Sequence, residues 1–409
     1  MERELDVAIV GGGAGGIAAA RRLAAQGRSV LVVEALARLG GRARTEIVQG
    51  MPLDFGCGWL HSAKRNPLAR IAEAEGLQVD RRPSAWRRQL GDLGFPADAQ
   101  KAAWRAYQAF VERLHANPPA SDRAGDAMRA DDPWRPFVDA FSSYVNGAEL
   151  DRLSVADFLA YEDAASDDDW RLPGGYGAFI AGLGAQLPNA LATTVRTVSH
   201  RNGVALDTDR GTIRARAAIV TVSTAVLARG AIRFGPAVDD HLQAASRLPL
   251  GLADKVFLAL AEPDAAPAES HLLGRPDRAE TGSYYIRPLG RPVIECFLGG
   301  SLARTLEWGG PSAAVAFATD ELKRLLGADF VRGLSPIAVT RWAQEPSVGG
   351  SYSHALPGYA AARAVLARPV SERLCFAGEA CAMTDYSTAH GAWSSGLAAA
   401  DWIERGLRL

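Results

Sequence analysis

The sequence predicts an α/β fold in which a domain built on a parallel sheet is interwoven with a second, α+β domain, a mixed sheet flanked by helices. Two observations lead to this prediction. Strand patterns followed by a glycine turn and a small-residue helix stand near both ends of the chain, at residues 5–27 and 373–403. Alternating strand patterns return at 194–223, after a long stretch of helical periodicity. The chain is therefore expected to leave the first domain and re-enter it twice.

The predicted first domain comprises residues 1–79, 189–250 and 365–409, and the second comprises residues 80–188 and 251–364. The length of 409 residues agrees with two or three domains.

Shorter features help to place the elements. Residues 194–223 predict two hairpin strands, with turns at the RNG and DRG triplets, followed by a separate buried strand. Asn66 before Pro67 predicts the start of a helix. The acidic loop SDDDW at 166–170 is interpreted as solvated surface.

Composition excludes several functional classes. The chain is 48% hydrophobic and 22% charged, with a net charge of −1, which predicts neither a nucleic-acid nor a membrane partner. Its four cysteines have no metal-ligand spacing, so no metal site is expected. A strand pattern begins at residue 5 and no apolar run reaches the ~20 residues that span a bilayer, so a cytoplasmic protein is expected. Oligomeric state is left open.

The opening turn has the spacing G-x-G-x-x-G. Gly11, Gly13 and Gly16 follow the apolar strand pattern at 5–10 and lead into a helix pattern that ends at Gly27. The first glycine permits a tight turn, the second lets backbone approach a pyrophosphate, and the third lets helix and strand pack closely. Since the helix N-terminus would face the phosphates, the pattern predicts a Rossmann-type dinucleotide site.

An acidic residue and two further glycine turns indicate which dinucleotide binds. Glu34 ends the second strand pattern and can accept hydrogen bonds from ribose hydroxyls. Gly41 and Arg42 follow, where backbone and a guanidinium can approach a phosphate. NAD enzymes continue into an ordinary crossover helix at this point, whereas this run is typical of FAD proteins. Gly378 and Glu379 form a similar turn in the tail, so both chain ends are expected to hold one FAD.

Separated motifs occur in an order that resembles the flavin-containing amine oxidases, which include monoamine oxidases, polyamine oxidases and lysine-specific histone demethylases. These motifs are VGGGAGG with GGRART, LDFGCGWLH, LPGGYGAFI, VTVSTAVL, GLADKVFLAL, RWAQEPSVGGSYS and FAGEA with TAHGAWSSGLAAA. The resemblance covers nearly the whole chain. It implies oxidation of a primary or secondary amine to an imine or aldehyde, with O₂ reduced to H₂O₂.

The resemblance also implies roles for individual residues. Lys255 would lie under the flavin, hold a water on N5 and favour the reaction with O₂. Trp342 would lie beside the isoalloxazine ring, and Tyr352 would form one wall of an aromatic cage that orients the amine. Further cofactor contacts are expected from Trp59, Val195 and Ala389.

Three positions qualify this resemblance. Ser351 stands where mitochondrial monoamine oxidases carry the cysteine bonded to the flavin, so non-covalent FAD is expected. Thr388 stands where the opposite cage wall is often Tyr, which leaves half a cage. His61 resembles the substrate-facing histidine of animal polyamine oxidases, whereas His390 is interpreted as helix-cap packing.

The substrate is left open at this point. A polyamine needs carboxylates along a tunnel, and an α-amino acid needs an arginine such as Arg87 or Arg88 for its carboxylate. A hydrophobic monoamine needs an apolar tunnel, for which the Trp and Phe residues between 86 and 170 are sufficient. The alternative functions are a flavin-dependent desaturase, isomerase or amino-acid oxidase of the same superfamily and a non-catalytic, FAD-bound interaction protein. A histone demethylase is disfavoured because the chain lacks a long helical insertion.

Overall fold

A computed structural model gives the architecture of the chain and describes residues 5–86 and 89–408. Its strands are Leu5–Val10 (β1), Val30–Val33 (β2), Thr45–Val48 (β3), Met51–Asp54 (β4), Asn189–Ala190 (β5), Val195–Ser199 (β6), Val204–Thr208 (β7), Gly211–Val220 (β8), Arg233–Gly235 (β9), Ala253–Leu260 (β10), Ser270–Leu273 (β11), Ser283–Ile286 (β12), Val293–Gly299 (β13), Leu334–Val339 (β14) and Leu374–Phe376 (β15). Its α-helices are Ala14–Ala25 (α1), Pro67–Ala74 (α2), Ala97–Ala116 (α3), Arg135–Asn146 (α4), Val155–Glu162 (α5), Tyr176–Leu183 (α6), Thr224–Ala228 (α7), Asp239–Ser246 (α8), Gly300–Gly309 (α9), Pro311–Leu326 (α10), Ala328–Arg332 (α11), Ala362–Ala367 (α12) and Ala389–Arg408 (α13).

The larger sheet combines parallel and antiparallel pairs. Its order is β5-β2-β1-β8-β7-β6-β9, and β15 also pairs with β8. β1 carries an unbroken apolar run because both faces of the sheet are covered. Val7 and Ile9 pack with residues of α1 and α13 on one face, and Ala8 and Val10 pack into a second cluster on the other. The predicted α/β fold class is confirmed.

β8 runs through ten residues without interruption, which corrects the prediction of a hairpin strand followed by a separate buried strand. Ala215 explains the continuity, because it pairs with Val204 of β7 on one side and with Leu5 of β1 on the other. The first half of β8 therefore completes the hairpin, and its second half lies between β1 and β15.

The smaller sheet has the order β11-β12-β13-β10-β14, with antiparallel pairing throughout. All its strands lie within residues 251–364, and those of the larger sheet lie within residues 1–79, 189–250 and 365–409. β3 and β4 form a separate two-stranded sheet. The division of the other strands into two sheets agrees with an interwoven chain, while the domain boundaries themselves stay a prediction.

The two ends of the chain meet where α1 packs on α13. A Cβ atom at Gly396 would lie 2.1 Å from the carbonyl oxygen of Gly15, so only glycine allows the two backbones to approach this closely. An ion pair between Arg28 and Glu404, at 2.7 Å, joins the same two ends near the surface. Since β1 and β15 both run parallel to β8, the turns that follow them open at the same edge of the sheet.

Candidate active site

A cavity of about 1150 Å³ extends from this sheet edge to the smaller sheet and the helices α3 to α5. Every site residue predicted from the sequence lines it, with the exception of Gly16. A Cβ atom at Gly16 would lie 2.0 Å from the carbonyl oxygen of Gly11, so this glycine serves the packing of α1 on β1. The cavity brings the predicted residues together, and their individual roles stay predictions.

The first turn is held open by backbone geometry. Gly11 has φ +107°, which a side chain would strain, and Gly13 precedes the first residue of α1. Behind the turn, Glu34 accepts hydrogen bonds from the N–H of Gly12 at 2.6 Å and from the N–H of Leu36 at 2.7 Å. Burial raises the pKa of Glu34, although these N–H groups oppose the shift. Each carboxylate oxygen retains acceptor capacity toward the cavity.

Arg42 and Glu379 connect the first turn to the tail. Arg42 donates to Glu379 Oε1 at 2.8 Å and to the carbonyl oxygen of Ser351 at 2.6 Å. Glu379 Oε2 accepts from the Ser353 hydroxyl at 2.7 Å and from the N–H of Ser387 at 2.9 Å. Burial alone would raise the pKa of Glu379, but Arg42 and the Ser353 hydroxyl help to hold it below its usual range. Glu379 therefore joins protein segments, beyond its predicted contact with the cofactor.

Lys255 projects from β10 into the cavity with its side chain almost fully buried. Its ammonium group donates to the backbone carbonyl of Asp54 at 2.8 Å and lies 2.6 Å from Glu295 Oε1. The sequence placed Lys255 at the site but missed Glu295. The available signal was a single charged residue within the apolar run VIECFLG of β13.

Trp342 is fixed from two sides. Its indole N–H donates to the carbonyl of Phe55 at 3.1 Å, and its backbone N–H donates to Asp254 Oδ1 at 3.2 Å. Burial, followed by the nearby carboxylate of Glu307, raises the pKa of Asp254 to about 7. The wall behind Trp342 thus holds a carboxyl group that titrates near neutrality.

Replacement of Asp254 by asparagine is expected to make the stability of the protein less sensitive to pH. Because the pKa of Asp254 is raised from 3.8 to about 7, the folded state retains a proton that the unfolded chain releases between those values. The resulting stabilisation is complete below about pH 4 and is lost as the pH rises through 7. Asp254→Asn should therefore gain stability relative to the parent, by a few kcal/mol at most, between pH 4.5 and 8. Urea unfolding at several pH values measures this difference, and a constant difference would contradict it.

Aromatic side chains form much of the remaining wall. Tyr352 donates through its hydroxyl to the backbone carbonyl of Tyr144, and burial raises its pKa well above the usual range. Trp59 packs edge-on against Trp86, with ring centroids 4.3 Å apart, and also contacts Tyr285. Tyr352 and Trp59 thus both contribute aromatic surface to the lining of the cavity.

Thr388 directly precedes the last helix, α13. Its hydroxyl accepts from the N–H of Gly391 at 2.9 Å and donates to the carbonyl of Asp385 at 2.6 Å. Tyr161 and Tyr386 also line the cavity, with their rings 5.4 Å apart, and the sequence interpretation had not placed either of them. Thr388 and these two aromatic rings therefore line the same cavity.

The acidic loop at 166–170 is not simply solvated surface, which corrects the interpretation from the sequence. Asp169 lines the cavity, and its Oδ1 lies 2.7 Å from Nδ1 of His61. Backbone pairing between Leu60 and Trp170 folds the loop onto the segment that carries His61. Asp168 behaves as predicted for a surface residue, since it pairs with the exposed Lys64.

Three further predictions concern Asn66, His390 and the pair Arg87 and Arg88. The side chain of Asn66 accepts from the N–H of Leu68 and caps α2, as the sequence predicted. His390 is buried 3.1 Å from Asp385 and is not itself among the residues that line the cavity. Arg87 and Arg88 lie outside the described residues.

An apolar arm of the cavity comes largely from residues 86–170, whose Trp and Phe side chains were expected to suffice for an apolar tunnel, but the sequence did not mark the individual residues. It is formed by Phe95, Trp104, Phe137, Phe141 and Leu273. The ring of Trp104 lies 5.3 Å from that of Phe137 and 5.2 Å from that of Phe141, edge-on in both cases. Helical spacing accounts equally well for a core and for a cavity wall, so periodicity alone could not separate the two.

Known proteins identify the family. The chain matches the family described as flavin containing amine oxidoreductase over residues 14–403. The chain belongs to this family. Within the part of the chain that the structure describes, none of the helices combines the length and apolar character needed to cross a bilayer.

Individual members of the family match nearly the whole chain. Polyamine oxidase 2 of Arabidopsis thaliana is 29% identical, with 98% of this chain and 88% of that protein covered. Lysine-specific histone demethylase 1 homolog 1 of Oryza sativa subsp. japonica is 28% identical, with 98% of this chain and 52% of that protein covered. Cyclohexylamine oxidase from Brevibacterium oxydans IH-35A shares the fold, with a TM-score of 0.82, 22% identity and full coverage of both chains.

Proposed function

We propose that the protein is an FAD-dependent amine oxidase, which converts a primary or secondary amine to an imine that water hydrolyses to an aldehyde, while O₂ is reduced to H₂O₂. The observation that carries the proposal is that one cavity joins the glycine turn, Lys255 and an aromatic wall. FAD, when bound, supplies the hydride acceptor and the route for electrons to O₂. The side chains then have to bind, orient and desolvate the amine.

The cavity residues fit FAD. Gly13 to Gly15, at the N-terminus of α1, line the cavity where a pyrophosphate would be stabilised by backbone N–H groups, and Glu34 lies behind them. Non-covalent binding is supported by the hydroxyl of Ser351, which is engaged with the backbone of Ala253. Burial raises the pKa of Cys57, which also lines the cavity, to about 12, and this disfavours the reactive thiolate.

The substrate that the cavity fits best is an amine that carries an aromatic or alicyclic group. The apolar arm offers mainly carbon surfaces and ring edges for this group, and burial of the group there is favourable. The polar neighbours Gln89 and Gln100 already donate to backbone carbonyls of Leu93 and Phe95. The names of the relatives favour a polyamine instead, whose distal ammonium groups would need the carboxylates near His61.

His61 is proposed to accept a hydrogen bond from the substrate nitrogen. Asp169 holds the proton on Nδ1 of His61, which leaves the Nε2 lone pair for the cavity. Replacement of His61 by alanine should therefore alter the pH dependence of flavin reduction by amine, and Asp169→Asn should alter it in the same direction. Stopped-flow measurement from pH 6 to 10 tests this.

Asp168→Asn is the matched control, because it removes a carboxylate from the same loop but does not touch the cavity. Its pH profile should equal that of the parent. Parental profiles in both His61→Ala and Asp169→Asn would remove this pair from the substrate site.

Anaerobic mixing of the flavin-loaded protein with a panel of amines tests the proposed function. Aromatic and alicyclic monoamines should bleach the oxidised flavin, and admission of O₂ should restore the colour with one H₂O₂ per turnover. Bleaching by polyamines alone would replace the proposed substrate class. A yellow protein that no amine bleaches would contradict amine oxidation. Bleaching by an α-amino acid alone would indicate an amino-acid oxidase instead.

A further inference from the structure

The ammonium group of Lys255 has two of its three hydrogens engaged by the protein. One is donated to the backbone carbonyl of Asp54 at 2.8 Å, and a second faces Glu295 Oε1 at 2.6 Å. An ammonium group carries three donors and no acceptor, so one donor remains for the cavity. Two fixed contacts define the direction of the third, provided that both partners are rigid.

Both partners are held in place. Asp54 lies at the end of β4, and its carboxylate is occupied by the hydroxyl of Thr45 and by the N–H groups of Tyr176 and Gly177. Glu295 lies on β13, opposite Phe257 in the antiparallel register, so its side chain reaches Lys255 diagonally across the two strands. Among the described carboxylates, Glu295 is the one within ion-pair distance of Lys255.

The position of Glu295 is unusual for a carboxylate. It interrupts the apolar run of β13, lines the cavity and keeps less than a quarter of its side chain exposed. The nearby cavity residue Arg291 donates to the carbonyl oxygens of Pro52 and Pro173, and no ion pair between Arg291 and Glu295 is found among the described residues. Lys255 is therefore the residue with which the carboxylate of Glu295 forms its ion pair.

We infer that Glu295 is a positioning residue for Lys255, which orients the third ammonium hydrogen toward the cofactor and presents it as part of a neutral pair. The inference builds on the proposed function, because it assigns the partner of a residue at that same site. A bare ammonium next to the flavin would stabilise its reduced, anionic form, and a paired one does so less. Glu295 thus sets how strongly Lys255 acts on the cofactor.

Two substitutions of Glu295 separate the effect of its charge from its effect on the position of the Lys255 ammonium group. Glu295→Gln retains an acceptor of the same shape but removes the charge, so the midpoint potential of the bound flavin should become more positive. Glu295→Ala removes the contact altogether, and reoxidation by O₂ should slow about tenfold, the effect of losing one charge-assisted hydrogen bond of about 1.4 kcal/mol. Glu112→Gln is the matched control, since Glu112 is exposed on α3 and carries the same charge.

A third measurement needs no cofactor. The chain has four lysines, and Lys64, Lys101 and Lys323 are exposed, so they serve as internal standards for acetylation by acetic anhydride in the flavin-free protein. An ammonium held by a carboxylate does not react as a nucleophile. The acetylation of Lys255 relative to these standards, read by mass spectrometry, should therefore increase in Glu295→Gln and Glu295→Ala.

Parental potential, reoxidation rate and relative acetylation in both Glu295 variants would overturn the inference. These outcomes differ from failure of the proposed function, in which the parent protein itself is not bleached by amines. If a variant no longer takes up flavin, the acetylation ratio alone tests the inference for that variant, because the ratio is measured on the flavin-free protein.

Discussion

Replacement of Lys255 by methionine is expected to slow reoxidation of the reduced protein by O₂ about a hundredfold, the size of effect seen when one preorganised electrostatic group is removed from a site. Methionine has a similar length and fills the buried volume, so packing is retained. Flavin reduction by amine should change by only a few-fold, because that step does not need a cation at this position. Stopped-flow measurement of the two half-reactions, each in isolation, compares them directly.

Lys323→Met provides the control, because this lysine is exposed on α10 and outside the cavity. It should leave both half-reactions unchanged. Equal losses in the two half-reactions of Lys255→Met would mean that Lys255 supports the site as a whole instead of the step with oxygen. Lys255→Met also leaves Glu295 without its cation, so the combined Lys255→Met and Glu295→Gln substitutions should recover part of any lost stability.

Replacement of Arg363 by alanine is expected to lower the free energy of unfolding by about 3–5 kcal/mol. Arg363 is almost completely buried and forms a bidentate ion pair with Asp157 at 2.5 and 2.8 Å. It also donates to the hydroxyl of Ser353 at 2.9 Å and to the carbonyl of Ala380, and it stacks on the ring of Tyr386 at 3.6 Å. Alanine would leave the carboxylate of Asp157 buried without its cation, which is the main source of the loss.

The effect of Arg363 should extend to the cofactor. The Ser353 hydroxyl that Arg363 binds donates in turn to Glu379, which holds Arg42. Urea unfolding of the flavin-free protein measures stability, and titration with FAD measures uptake. The paired substitution Arg363→Met and Asp157→Leu should be markedly more stable than Arg363→Ala, because it removes both buried charges together. A paired variant as unstable as Arg363→Ala would show that packing dominates over charge.

Site residues could be predicted from the sequence where a local backbone conformation allows only a few residue types. Gly11, Gly13 and Glu34, which the sequence assigned to a dinucleotide site, all line the cavity, because a turn followed by a helix N-terminus restricts the residues at those points. Glu295 and Asp169 were missed because each meets its partner through tertiary contacts, across two strands and between two loops. The periodicity of a strand or the composition of a loop does not show which residue, distant in sequence, a side chain will contact.

The wall of the apolar arm illustrates a second limit. Phe137 and Phe141 are spaced as in any buried helix face, and only the packing of α3 against α4 leaves space beside them. Whether an apolar side chain fills a core or borders a cavity depends on the volume left by its neighbours, which no single segment determines.

The placement of β15 against β8 has a consequence for biosynthesis. The second half of β8 pairs with β1 early in the nascent chain, but its other edge stays bare until residues 374–376 leave the ribosome. A bare apolar strand edge is a template for aggregation. Translation that halts before this point would therefore release an aggregation-prone intermediate. The yield of intact protein should depend on how quickly β15 pairs with that edge or a chaperone shields it.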